Sequence, residues 1–368
     1  MLYLHSLHAR SSHDRGSQPR VVISSALCAS PEIRGKEDSP SSPPSSDDSP
    51  HICKHIRELR LHLKRSQSSS SRLSMEQLYF IVEHLPRLRV LELRGIELYS
   101  TAQMNALPYH LDQLWIADLQ IMGAVWDVLF ILTSSGVRDL RMGQFYVKNP
   151  EQFLTESPGA PYLRLRTLTL SALSPQILHF VRRASVSVDS LRCVVEPNSV
   201  AALGAAITQI RHTVSRLEFE IKYAGFAAQT DWGLLNLNQC SMLQTVVVYY
   251  GSPDTHWDLR MRVITTLPLS LQELVLEITG YEDLAGLPCW KLEEELDKFK
   301  ALKKVVFWMT SRTTTYDTLP IMDDEPSPDR LSPEDLRKKL HFVLPKLYSR
   351  GLLVLQTDSS PSAPSDDK

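Results

Sequence analysis

The amino-acid sequence predicts an α/β solenoid, with parallel strands on a concave inner wall and helices outside. Two observations carry this: an apolar motif that recurs about every 27 residues, and helix-like segments between its copies. The motif is L-x-x-L-x-L, with other apolar residues allowed at the three places. It appears as Leu88-Leu91-Leu93, Leu111-Leu114-Ile116, Val137-Leu140-Met142, Leu165-Leu168-Leu170 and Val188-Leu191-Cys193. It continues as Val214-Leu217-Phe219, Leu243-Val246-Val248, Leu271-Leu274-Leu276 and Leu302-Val305-Phe307. Ile56-Leu59-Leu61 precedes these copies and a partial Leu353-Leu355 follows them.

The second half of each copy alternates apolar and polar residues, as a strand with one buried face does. The first apolar residue, three positions earlier, turns in from the preceding loop. Consecutive copies start 23 to 31 residues apart, which is the period and strand signature of leucine-rich repeats. Parallel strands need a crossover of about a dozen residues or more, and the intervening segments supply it. Ser174-Pro175 and Ser332-Pro333 each place an N-cap serine before a proline at the first helical position. Helical spacing also runs through residues 75–85, 123–132, 200–212, 232–237 and 290–301. The Asn that normally closes the repeat turn is replaced by Ile96, Leu119, Phe145 and Leu173 in four repeats. Glu196, Lys222, Gly251, Thr279 and Thr310 stand there in the others. Apolar packing is therefore expected in place of an Asn ladder, in a less regular arc.

Composition bounds the folded region. Residues 36–50 hold ten Ser or Pro in fifteen positions, and residues 357–368 are similar. Such segments bury too little apolar surface to offset their ordering entropy. Residues 1–50 are expected to form a disordered arm, residues 51–356 the folded region, and residues 357–368 a disordered tail. The polar stretch 310–330 is expected to be a long loop. Forty Lys and Arg against 42 Asp and Glu give a net charge of -2, so nucleic acid is not the expected partner. No apolar run reaches the ~18–20 residues of a membrane span. The five cysteines show no CxxC spacing, which fits a reducing compartment, cytoplasmic or nuclear, rather than a disulfide framework.

Chemical motifs are sparse. GxSxG, HExxH, GxxxxGK[ST] and GxGxxG are all absent. His51, Cys53 and His55 alternate and would share a strand face with His62 nearby, yet the second half of a zinc site is lacking. No cofactor, metal or catalytic residue is therefore expected. Lys54, Arg57, Arg60, Lys64 and Arg65 read as a solvated face of the first repeat. Ser39, Ser42 and Ser49 each precede a proline, the dipeptide of proline-directed phosphorylation.

The positions between and just past the repeat leucines are the ones expected to face outward. In the C-terminal half they are apolar: Val247, Tyr249, Val275, Val306 and Trp308. Trp115, Arg141 and Arg192 complete the candidate partner-binding residues. Exposed apolar patches mark contacts, and Tyr, Trp and Arg dominate interface hot spots; the equal alternative is that the 310–330 loop or the C-terminal helix folds over this patch and buries it within the chain. Tyr249 and Trp308, two strands apart, are expected to stand roughly 10 Å apart with Glu277 between them.

The segments HICKHIRELRLHL (51–63), HLPRLRVLELRGIEL (84–98), LDQLWIADLQI (111–121) and LQELVLEITG (271–280) resemble the fungal family of F-box/leucine-rich-repeat proteins. The resemblance implies that the repeats choose a substrate protein for a cullin-type ubiquitin ligase. It implies a Skp-like adaptor only where an F-box stands upstream, because residues 1–50 hold no L-P-x-E-I-L segment. The expected function is a non-catalytic protein-interaction module, with an unidentified protein partner on the concave face and neither membrane nor nucleic acid as partner. The competing reading is a repeat-only scaffold or enzyme regulator acting through a concave-face arginine, Arg141 or Arg192.

Overall fold

The structure, a computed structural model, describes residues 20–24, 55–62, 72–99, 110–122, 125–133, 136–155, 162–221, 230–250, 257–278, 284, 286–309 and 332–357. The chain divides into two compact units, Met1–Val186 and Ser187–Lys368.

In the N-terminal unit the apolar motif becomes a parallel sheet. β1 (Arg20–Ser24), β2 (Glu58–His62), β4 (Val90–Arg94), β6 (Gln113–Ala117), β8 (Asp139–Met142) and β10 (Tyr162–Leu170) lie side by side in that order. The register aligns the second motif leucines into one row, Leu59, Leu91, Leu114, Leu140 and Leu168. The third motif residues form the next row, Leu61, Leu93, Ile116, Met142 and Leu170. Both rows are buried. Period-two alternation thus sends the second and third motif residues to one face, and stacking the strands makes that face a continuous apolar core.

A second parallel sheet, which the motif does not announce, joins β3 (Arg72–Ser74), β5 (Glu97–Tyr99), β7 (Leu119–Met122) and β9 (Phe145–Val147). Three of its strands, β5, β7 and β9, begin at or beside Ile96, Leu119 and Phe145, the apolar residues standing at the place of the usual repeat Asn. All three are buried, so these turns are packed by apolar side chains. Leu173 is only half-buried and starts no strand. In the C-terminal unit, where that place is polar or glycine, the described residues show no second sheet.

Helices α1 (Met75–Glu83), α2 (Val125–Thr133), α3 (Pro150–Thr155) and α4 (Pro175–Arg183) make the connections. α1 opens on a reciprocal capping box. The Ser74 hydroxyl accepts from the Gln77 amide at 3.1 Å, and Gln77 Oε1 accepts from the Ser74 amide at 2.9 Å. The expected cap of α4 is present, with Ser174 accepting from the Ile177 amide at 3.3 Å ahead of Pro175. Trp126 of α2 stacks on Phe153 of α3 at 4.8 Å and lies 6.0 Å from Phe180 of α4, which locks the three helices together.

The C-terminal unit repeats the scheme. β11 (Ser185–Val195), β12 (Arg216–Ile221), β13 (Thr245–Tyr250), β14 (Glu273–Ile278), β15 (Lys304–Met309) and β16 (Leu353–Thr357) are parallel and adjacent in that order. One core row runs Leu191, Leu217, Val246, Leu274, Val305 and Leu353. The next runs Cys193, Phe219, Val248, Leu276, Phe307 and Leu355. Helices α5 (Val200–Ile210), α6 (Trp257–Ile264), α7 (Cys289–Leu296), α8 (Pro333–Val343) and α9 (Pro345–Ser349) lie between or after the strands in sequence. The Ser332 cap of α8 is in place, accepting from the Asp335 amide at 3.1 Å. Residues 232–237, expected as one helix, instead form two short 3-10 turns. Asn236 adopts a left-handed φ of 56°, which ends the first turn. Helix α5 meets the first of these turns at Gly204, where a β-carbon would stand 1.7 Å from the Leu234 carbonyl oxygen.

A buried carboxylate ties the end of this unit together. Glu293 of α7 accepts from the amides of Lys346 at 2.7 Å and Leu347 at 3.1 Å, satisfying the first turn of α9. Glu293→Ala leaves both amides without that acceptor and is expected to lower stability by about 2 kcal/mol. Glu293→Gln keeps an oxygen there and should recover most of the loss. Denaturant unfolding of the two variants checks this; an unchanged midpoint for the alanine variant would dismiss the cap.

One strand lies inside the segment expected to be a disordered arm. Residues 20–24 (RVVIS) pair in parallel with β2. This short β-branched run has high strand propensity, which the Ser/Pro composition of its surroundings conceals. The rest of the arm, the 310–330 loop and the tail beyond Thr357 lie outside the described residues.

Candidate functional site

Residues that alternate with the core rows stand on the opposite sheet face. In the C-terminal unit one row on that face is Arg192, Glu218, Val247, Val275, Val306 and Val354. The row beside it includes Glu220, Tyr249, Glu277, Trp308 and Gln356, with Tyr249 paired to Glu220 and Glu277 paired to Trp308. The expected candidates Arg192, Tyr249 and Trp308 meet here. The Tyr249 and Trp308 rings pack edge to face at 5.5 Å. The Arg192 guanidinium lies over the Tyr249 ring, 5.6 Å from its centroid. The Tyr249 hydroxyl reaches Glu218 Oε2 at 3.4 Å, while Arg216 Nε holds Glu218 Oε1 at 2.6 Å. Tyr249 is thus braced by a cation, a second ring and a carboxylate. Arg216 and Glu218 were not among the candidates; only their placement on this face reveals them.

Three expectations about this face need correction. Val247 and Val306 are not exposed: they are 2% and 1% accessible. Val275 between them is half-buried. Tyr249 and Trp308 are not 10 Å apart, because the rings lean toward each other across the strand that separates them. Backbone spacing sets where a side chain starts, and large rings close the gap to gain contact. Glu277 in the row between them is consequently 5% accessible rather than an open acid. What remains accessible is a half-buried aromatic pair with Arg192 exposed at its side.

The N-terminal unit carries its own smaller group. Trp115 and Arg141 are register partners on β6 and β8, and the Arg141 guanidinium lies 5.8 Å from the Trp115 centroid. Trp115 is half-buried and Arg141 exposed. Next to Trp115 in the register is Glu92, which is buried and engaged by Arg60 at 3.4 Å. His62 Nε2 stands 2.8 Å from Glu92 Oε1.

The protonation of the groups on and behind this face follows from their burial. Burial, and then the Glu218 carboxylate, push the Tyr249 phenol up to about 12, against a smaller downward pull from Arg192 and Arg216. The phenol therefore stays protonated at neutral pH. Cys193, Cys240 and Cys289 are free thiols. Burial raises Cys193 to about 12 and Cys240 to about 11, and raises Cys289 as well, far from the thiolate a nucleophile requires. Among the described residues no three His, Cys, Asp or Glu side chains are grouped to hold a metal ion. His51 and Cys53 lie outside those residues. No described helix is long and apolar enough to cross a membrane. No protein-family model matches the chain, and no curated protein matches it either.

Proposed function

We propose that the chain is a non-catalytic protein-recognition module, a leucine-rich-repeat-type solenoid acting in the cytoplasm or nucleus. The sheet face bearing Arg192, Tyr249 and Trp308 takes a segment of a protein partner. The observation that carries this reading is the edge-to-face Tyr249–Trp308 pair with Arg192 stacked on it. Trp, Tyr and Arg are the side chains that concentrate binding energy. Here they brace one another before any partner arrives, which lowers the entropic cost of ordering them. Arg192 makes no ion pair with a carboxylate among the described residues, so an acidic residue of the partner is its natural complement. An apolar residue would seat on the rings. On the resemblance to F-box/leucine-rich-repeat proteins, that partner is a protein selected for ubiquitination.

Trp308→Ala is the direct test. It should weaken retention of partner proteins by about 2 kcal/mol, as hot-spot truncations do. Stability should fall by only about 1 kcal/mol, the worth of one aromatic pair. Proteins retained by the full chain, by Trp308→Ala and by Arg192→Glu are compared by mass spectrometry, with thermal melts alongside. A set of proteins retained equally by all three would reject this face as the site.

A further inference from the structure

We propose that α8 and α9 form a lipid-docking surface, on which Phe342 enters an anionic membrane interface while the lysines around it meet the headgroups. Phe342 is 85% accessible and Tyr348 is 53% accessible. Helix α8 packs on its unit through other residues. Leu336 and Leu340 are buried, and Leu344 and Leu347 continue that stripe into α9. At about 100° per residue, Phe342 stands roughly 200° around the helix from Leu340. The ring therefore points away from the core. The Tyr348 ring stacks on His341 at 4.0 Å, which brings a second exposed aromatic to the end of α8.

The two rings stand on a fixed support. Ser332 caps α8, the buried Glu293 caps the first turn of α9, and Arg350 past the end of α9 reaches Asp297 at 3.1 Å. Single apolar residues scattered over a surface are ordinary. Here two aromatics share one end of a braced helix pair and a cationic surround.

Charge selects the occupant. In a chain of net charge -2, residues 332–350 hold five Lys or Arg against two acids. Both acids lie in the first turn of α8, Asp335 bonded to Ser332 and Glu334 facing Lys338 at 3.9 Å. The Glu334–Lys338 pair is exposed on both sides and holds little energy. Lys338 and Lys339 precede Phe342 by four and three residues, which places them on its side of the helix, one turn away. Lys346 follows on α9. Lysine stems can lie along an apolar layer while the ammonium groups stay among the headgroups. The cytoplasmic leaflet is anionic and attracts each such cation, and aromatic rings favour its interface. A protein partner would need a pocket shaped to a protruding ring, whereas a lipid interface closes around it without one. A second copy of this chain would set lysines against lysines. Such a contact lies on the membrane and needs no spanning helix.

The test is co-sedimentation of the full chain with vesicles of equal parts phosphatidylserine and phosphatidylcholine. Pure phosphatidylcholine vesicles and a single-stranded oligonucleotide serve as comparisons. The chain should bind the anionic vesicles, more weakly as salt rises, and should leave the phosphatidylcholine vesicles unbound. Phe342→Ala should weaken binding about tenfold with an unchanged melting temperature, because the ring is exposed. Phe342→Trp should keep the binding. Lys338→Glu combined with Lys346→Glu should weaken it about tenfold or more. No binding to the anionic vesicles would overturn the proposal. So would binding indifferent to both the ring and the charge changes, which would assign it to another basic segment such as residues 54–65. Preference for the oligonucleotide, lost in the same variants, would replace lipid by nucleic acid. Concentration-dependent dimers lost in Phe342→Ala, without vesicle binding, would replace it by a second copy. Trp308→Ala should leave vesicle binding unchanged, which separates this surface from the recognition face.

Discussion

Leu168→Asp is expected to abolish cooperative folding of the N-terminal unit, while Thr169→Asp, one residue further on, is expected to be tolerated. Leu168 is fully buried in the row that continues through Leu140 on the adjoining strand. A carboxylate there loses the packing of a buried leucine, about 2–5 kcal/mol, and adds an unpaired charge in an apolar interior. Domains of this size hold only ~5–15 kcal/mol in total. Thr169 points to the other face, is half-buried, and pairs in register with the exposed Arg141. The same aspartate there should cost about 1 kcal/mol or less. Circular dichroism and urea unfolding of the two variants test the register residue by residue. A folded Leu168→Asp protein with an unchanged midpoint would mean that the motif leucines do not face the core.

Gly204→Ala is expected to destabilise the C-terminal unit by about 3 kcal/mol, although alanine is the better helix former. Gly204 lies within α5, and helix propensity alone makes the substitution favourable by about 1 kcal/mol. Across the contact, however, the new β-carbon would stand 1.7 Å from the Leu234 carbonyl oxygen, 2.8 Å from the Leu234 carbonyl carbon and 3.0 Å from the Leu235 α-carbon. These are backbone atoms of a 3-10 turn whose Trp232 and Leu235 are buried, so no flexible side chain can yield. The turn must move, and overpacking of this kind costs 1–3 kcal/mol or more. The sign of the stability change decides between local propensity and tertiary contact. A stabilised Gly204→Ala protein would refute the close approach of helix and turn.

Much of the fold was legible in the repeat. Each copy of L-x-x-L-x-L that falls among the described strands lies parallel to its neighbours, and its second and third apolar residues share one face. Alternation and spacing are enough for that, because a strand's side chains can face only two ways. The serine caps of α4 and α8 were legible for a similar reason: the cap is a contact within four residues of chain. The residues on the opposite face were legible as a set, but their exposure was not. Val247 and Val306 alternate correctly and are nonetheless buried, since alternation says which way a side chain points and not what covers it.

What the sequence by itself determined is the ladder of motif strands: where they lie, which of their faces is apolar, and that Arg192, Tyr249 and Trp308 share the other face. Only the tertiary structure decided the rest. It brought the Tyr249 and Trp308 rings into contact, drew Arg216 and Glu218 into the same group, and placed Gly204 against a backbone. The division has a physical cause. Periodicity and capping are local properties written every few residues along the chain. A ring contact across an intervening strand and a helix packed against a turn thirty residues away depend on how whole elements meet, and no local pattern records that.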